Sequence, residues 1–301
     1  MIIAAPHDGN VAAPQPRSTY DKVVAILVFF VLHWQLSVFL QSFFHHRYGA
    51  HRQFTMSKGW ERTFHFLAWF VQGSSYLNPR AYAILHRMHH AYSDTEKDPH
   101  SPMHQPNVFQ MMWRTKNIYD DLKERRVKVE PRFEGGYPEW RLLDDTLSTM
   151  PLAVAWGTLY ALYYIHFATH WWMFLLLPFH WFLGPVHGAI VNYLGHKLGY
   201  RNYESDDNSK NTLVFDVLTM GELFQNNHHK WGQSPNFAVR LFEIDPTYQI
   251  MRVLAALKII DLSGSQRARW VPRARGGAKA SVKVDAPPAL GMPDPSPMDG
   301  E

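Results

Sequence analysis

The 301-residue sequence contains no cysteine. Disulfides, iron–sulfur clusters and thiolate zinc sites are therefore excluded within the chain. No element gathers a stripe of basic and aromatic side chains, so a nucleic-acid partner is not indicated. The N-terminus lacks the basic, then apolar, then small-residue succession of a cleaved signal peptide, and residues 4–16 are instead rich in Pro and Ala. No internal repeat is visible. Charge is scarce wherever apolar residues cluster. The mean hydropathy of -0.28 averages uncharged runs with the charged stretches that separate them.

Three of those runs, residues 23–44, 150–167 and 171–193, approach the ~20 residues that cross a ~30 Å hydrocarbon core. The second and third are separated only by residues 168–170, which predicts a tight helical hairpin. A shorter run, 64–77, cannot cross twice and is expected to be interfacial or re-entrant. These runs predict an all-α, integral-membrane helical bundle of about three spans with a helical domain on the cytoplasmic side. Its parts would be a flexible lead-in (1–20), a membrane domain (21–262) and a disordered Pro/Ala/Gly-rich tail (263–301). Arg47, Arg52, Lys58, Arg62, Arg80 and Arg87 follow the first run, whereas the hairpin turn carries no positive charge. The positive-inside rule then turns the segments after the first run toward the cytoplasm.

What the chain does have is eighteen histidines, and four groups of them abut the apolar runs. They are His46-Arg-Tyr-Gly-Ala-His51, His86-Arg-Met-His89-His90, Asn192-Tyr-Leu-Gly-His196 and Gln225-Asn-Asn-His228-His229. Spacings of three and four put His86, His89 and His90 on one helical face, and likewise Gln225, His228 and His229. His46 and His51, five apart, are expected to straddle a helix end. Eight imidazoles at the ends of apolar spans call for a metal partner. They exceed what one ion can use, so two ions with about four nitrogens each fit the count. An all-nitrogen dinuclear site beside a membrane points to oxygen chemistry on lipid. Of the other histidines, His45 and His100 each neighbour a group without a clear assignment. His33, His65, His166, His170, His180 and His187 read as interfacial or packing residues, and His7 and His104 as surface ones.

At these residues the chain resembles the membrane fatty acid desaturases, specifically the acyl-CoA (stearoyl-type) Δ9 branch. The matching pieces are HRYGAH (46–51), HRMHHAYSDTEKDPH (86–100), NYLGH (192–196) and GELFQNNHHKWG (221–232). The resemblance implies that His46, His51, His86, His89, His90, His196, His228 and His229 ligate two irons, and that Asn192 holds a metal through water. It also implies a kinked acyl tunnel beneath the metals, O₂ as oxidant and a cis double bond placed in a saturated acyl chain carried by CoA or a lipid. Two departures stand out. Gln225 occupies the first position of a box that usually reads HxxHH, and so becomes a possible weak or water-mediated ligand. The family usually has two spans before its first box, whereas only one precedes His46, which puts the chain ends on opposite faces. No His-Pro-Gly-Gly haem motif is present, so a separate cytochrome b5-, ferredoxin- or rubredoxin-type donor is implied. Two other readings stay open on the sequence: a lipid or alkane hydroxylase with the same metal site, and a non-enzymatic bis-histidine cytochrome or metal transporter.

Overall fold

The structure is a computed structural model that describes residues 18–269. The lead-in over 1–17 and the tail over 270–301 lie outside the described residues. The start of the expected tail, 263–269, rests against the body. Ser265 Oγ donates to the Gln53 carbonyl at 2.6 Å, and Tyr203 Oη to that of Arg269 at 2.7 Å.

Helix α1 (Thr19–Leu40) opens on a reciprocal capping box between Ser18 and Asp21. Its sequence contains neither Gly nor Pro, so nothing stops it. It continues as a π-helix over Gln41–Ala50. The combined Thr19–Ala50 rod of 32 residues is the one helix among the described residues that is long and apolar enough to cross a membrane. Helix α2 (Lys58–Gln72) is capped by Ser57 and ends at Gly73. It takes in the expected 64–77 segment but starts six residues earlier and yields to a 3₁₀ turn at Gly73–Ser75. Helix α3 (Pro79–Tyr92) starts with an Asn78 cap and a first-turn proline, and α4 (Val108–Lys123) with an Asn107 cap.

Helix α5 (Met150–Phe167) has the expected bounds. The third expected span is not one helix. A 3₁₀ segment (Trp171–Leu176) leads into α6 (Leu177–Trp181), and the chain then bends by 79° into α7 (Leu183–Ala189). Pro185 supplies the reason. In an unbroken helix its ring would collide with the Trp181 carbonyl and its missing N–H would leave that carbonyl unpaired. Beyond the bend, α7 passes through a π turn (Ile190–Leu194) into α8 (Gly195–Lys197). Helices α9 (Gln225–Lys230) and α10 (Pro246–Ala256) follow, and β1 (Thr55–Met56) pairs antiparallel with β2 (Ile260–Asp261).

Among the described residues, four apolar clusters hold these parts. Ile26, Tyr160, Tyr164, Met173 and Leu177 join α1 to α5 and α6. Phe43, Phe44, Phe64, Ala68 and Met251 seat the π segment against α2 and α10. Ala81, Ile84, Leu85 and Leu122 lock α3 to α4. Trp34, Val38 and Leu183 join α1 to α7. Each fully buried Phe of the second cluster contributes about 1.5–3 kcal/mol. His33 and His180 take the packing role expected of them. Their Nδ1 atoms meet at 2.6 Å, His33 Nε2 donates to the Val71 carbonyl at 2.7 Å, and Tyr164 Oη donates to His180 Nε2 at 2.9 Å. Away from these clusters, Val28, Val31 and Leu32 of α1 and Leu159, Leu162 and Ile165 of α5 are exposed.

Gly73 is the joint between α2 and the turn that aims α3. It has a φ of 50°, and a Cβ there would run into the Tyr160 hydroxyl. Gly73→Ala is expected to destabilise the protein by about 1–3 kcal/mol. A thermal midpoint of purified protein unchanged from the parent chain would contradict that account.

Candidate metal centre

The π segment explains the five-residue spacing of the first box. An α-helix puts residues five apart on different faces, whereas a π-helix closes its turns at i→i+5 and brings them back together. The His51 N–H donates to the His46 carbonyl at 3.0 Å, one such turn. His46 lies inside this helix and His51 is its C-cap, so the pair straddles a helix end as expected, and the π turn puts both on one face. Helix α3 packs on this segment and adds His86 and His90, and α9 adds His228. One ring nitrogen from each of these five residues lies within 4.8 Å of all the others. His46 Nε2 is 3.0 Å from His228 Nε2, His51 Nε2 is 2.7 Å from His86 Nε2, and His90 Nε2 is 3.0 Å from His228 Nε2. Burial, reinforced by the neighbouring imidazoles, holds His51, His86, His90 and His228 well below the usual histidine range. They are neutral lone-pair donors at neutral pH.

His89, His196 and His229 form a second group, and each is backed by a carboxylate. Their Nδ1 atoms lie 2.9 Å from Asp98, 3.0 Å from Asp94 and 2.5 Å from Asp207. Burial opposes ionisation of all three acids, but the paired imidazoles and local N–H and O–H donors win. Asp94 is held at about 2, and Asp98 and Asp207 lie lower still. A carboxylate on Nδ1 fixes the proton there and turns the bare Nε2 inward. His89 Nε2 and His229 Nε2 then face each other at 3.3 Å, and the buried His196 Nε2 has no partner. Two facing lone pairs repel unless a cation stands between them. In the first group His46 Nδ1 lies 2.5 Å from Glu222, whose carboxylate is held at about 2 against its burial by His46, Arg47 and Ser42. This donor set fits nitrogen-loving divalent metals.

The geometry meets independent support in sequence comparison. The sequence model described as Fatty acid desaturase matches residues 22–253. The chain belongs to the fatty acid desaturase family. It is 29% identical over 220 residues to Delta-9 desaturase-like 2 protein of Arabidopsis thaliana, covering 72% of this chain and 69% of that one. To Delta-9 acyl-lipid desaturase 2 of Arabidopsis thaliana it is 29% identical over 216 residues, with 69% and 64% covered. To sn-1 stearoyl-lipid 9-desaturase of a Synechocystis species it is 29% identical over 226 residues, with 70% and 63% covered. This protein is accordingly a fatty acyl desaturase, an oxidoreductase of lipid metabolism.

All eight histidines singled out in the desaturase sequence thus lie in two groups, but the division is five and three, not the expected four and four. Gln225 sits against α8, where a Cβ on Gly195 would meet its Cγ at 2.5 Å, and its amide nitrogen donates to the Glu222 carbonyl at 2.7 Å. Asn192 lines a cavity with His86 and Gln225. His45 is excluded from both groups, its Nε2 donating to the Leu77 carbonyl at 2.8 Å. Sequence reasoning missed Asp94, Asp98, Asp207 and Glu222. For Asp94, Asp98 and Glu222 the sequence signal is that acids flank the boxes, as in SDTEKDPH and GELFQNNHH, whereas Asp207 lies far from any box and carries no such signal. It also missed Arg47, which is fully buried, bonds Asp245 at 2.8 Å and stacks 4.0 Å over Phe237 beneath the first group.

The desaturase cavity has a volume of about 900 Å³ and is mostly apolar. Its lining includes His46, His86, His100, Asn192 and Gln225 together with Tyr76, Leu85, Ala153, Gly157, Ala161 and Val191.

Two outcomes are expected. Asp207→Asn should weaken binding of the second metal by about 10–100-fold, read as the chelator concentration that removes it. An unchanged chelator midpoint would show that Asp207 does not orient His229. Metal-free protein should also lose stability as pH falls through about 6.5. The unfolded histidines take up protons there, whereas His51, His86, His90 and His228, lowered by burial, do not, so the unfolded state is favoured. His89, raised by Asp98 against its burial, works the other way as a single group. Thermal midpoints of chelator-stripped protein should be lower at pH 5 than at pH 7.5, and an equal or higher value at pH 5 would refute the assignment.

Proposed function

We propose that this desaturase inserts a cis double bond, at the Δ9 position, into a saturated acyl chain, using O₂ at two irons. The irons would be held by His46, His51, His86, His90 and His228 on one side and by His89, His196 and His229 on the other. The observation that carries the proposal is the facing of the carboxylate-locked nitrogens of His89 and His229 beside a histidine group whose His46 and His86 line an apolar cavity. When bound, the iron pair supplies an oxidant strong enough to remove hydrogen from an unactivated methylene. The balance is one O₂, two hydrogens from adjacent methylenes, two further protons and two electrons, giving two waters and the alkene. The electrons would come from a separate donor protein of the cytochrome b5, ferredoxin or rubredoxin type.

The chain's own residues perform the remaining tasks. The walls formed by Leu85, Ala153, Ala161 and Val191 desolvate an alkyl chain and exclude bulk water from the reacting carbons. Tyr76 and Tyr82 line the cavity on the α3 side and offer ring faces against the alkyl chain. Asp94, Asp98, Asp207 and Glu222 hold protons on the outer nitrogens of their histidines, so that the inner nitrogens stay bare.

The carrier reading that the rim favours is a lipid. Phe109, Trp113 and Met150 line the cavity and yet are 83%, 65% and 76% exposed. An apolar rim of this kind suits a chain that enters sideways from the bilayer. The exposed apolar faces of α1 and α5 support insertion in a membrane. The basic residues after the first rod support a metal site on the cytoplasmic side. Helix α5 and the bent α6–α7 pair would complete the bundle.

A host lacking desaturases that expresses this chain should accumulate a monounsaturated fatty acid, identified by gas chromatography. His89→Ala should abolish it while the protein remains in the membrane. A hydroxylated product would replace desaturation by hydroxylation, and full activity of His89→Ala would refute the site.

A further inference from the structure

Resting on the two-iron reading above, two buried histidines outside the eight, His100 and His187, pair neither ring nitrogen among the described residues, and of these His100 is the one whose ring lies against a histidine of the second group. The loop after α3 turns back at Asp98, whose carboxylate accepts the His100 N–H at 3.0 Å and takes His89 Nδ1 at 2.9 Å. One acid thereby positions both histidines. The His100 ring lies 4.2 Å from that of His89, centroid to centroid, and lines the cavity next to Asn192 and Gln225. It is 3% exposed, and neither of its ring nitrogens has a hydrogen-bond partner in the protein. Every neutral imidazole carries one donor and one acceptor, and burying both costs free energy unless a ligand or water pairs them. His45, the other histidine next to a box, shows the contrast, since its Nε2 bonds a carbonyl.

The second group is also the one that falls short. It has three imidazoles against five in the first, and Gln225, whose amide nitrogen donates to the Glu222 carbonyl, offers at most an amide oxygen, a harder ligand than imidazole. His100 groups with His89 and Asp98 and not with His196 and His229. Nitrogens that share one ion lie at most about 4 Å apart. A bound water is therefore the connection that reaches, and water-mediated contacts are nearly as favourable as direct ones.

We propose that His100 holds a water ligand of the second metal and thereby completes the coordination that Gln225, standing where an imidazole is usual, does not supply. His100 is a positioning residue under this proposal and touches the metal only through that water.

The test uses full-length protein in detergent, loaded with Co²⁺, with metal content and the Co²⁺ absorption spectrum read during chelator titration, so no turnover is needed. The unmodified chain should hold two ions. His100→Ala should lose one of them at a chelator concentration about 10–100-fold lower, with a changed spectrum for that ion and the other ion unaffected. Adding Gln225→His to His100→Ala should restore the second ion. Three results overturn the inference alone: two ions held as tightly in His100→Ala as in the parent, equal loss of both ions, or no rescue by Gln225→His. An unmodified chain that binds fewer than two ions overturns the dinuclear reading itself, and the inference with it.

Discussion

Neutral imidazoles crowded with their lone pairs inward repel one another, and every part of this structure is arranged around that constraint. Protons cannot relieve it cheaply, because burial disfavours the imidazolium at His51, His86, His90 and His228. Rotation cannot relieve it at the second group, because Asp94, Asp98 and Asp207 hold the outer nitrogens of His196, His89 and His229. A metal cation is the partner that satisfies both. Without it, the same residues would be a liability to the fold.

The rest of the chain follows as support. Unbroken α1 leads into a π segment that brings His46 and His51 onto one face. The Pro185 bend redirects what would otherwise be a straight run, and the segment beyond it carries Asn192 to the cavity wall and His196 to the second histidine group. Buried Arg47, tied to Asp245 and close to Glu222, balances the acids beneath the first group. The cavity then places histidines of the first group beside an apolar space between α3, α4, α5 and α7. A cavity lined by histidines and apolar side chains suits the long alkyl chain of a fatty acyl reactant.

Much of the site was legible before any coordinates. The i, i+3, i+4 spacing of His86, His89 and His90 reads directly because an ordinary α-helix carries it. The 150–167 helix reads directly because an apolar run bounded by polar turns has few alternatives. The five-residue spacing of His46 and His51 reads as a helix end, which is where the pair lies, but not as a π-helix, because that rarer helix has no sequence signature of its own. The run over 171–193 misled because composition registers apolarity, whereas a single proline decides whether the run is straight.

The sequence by itself determined the ligand chemistry, the helical class and the apolar runs, because these depend on residue type and local period. Tertiary structure alone decided how the histidines divide between two groups, which acids fix their protons and where the cavity runs. Those outcomes depend on contacts between residues far apart in the chain, such as Asp94 with His196 and His89 with His229. Local spacing carries no information about such meetings. The same holds for His100, whose neighbours in sequence are ordinary and whose position beside His89, with both ring nitrogens unpaired, exists only in the fold.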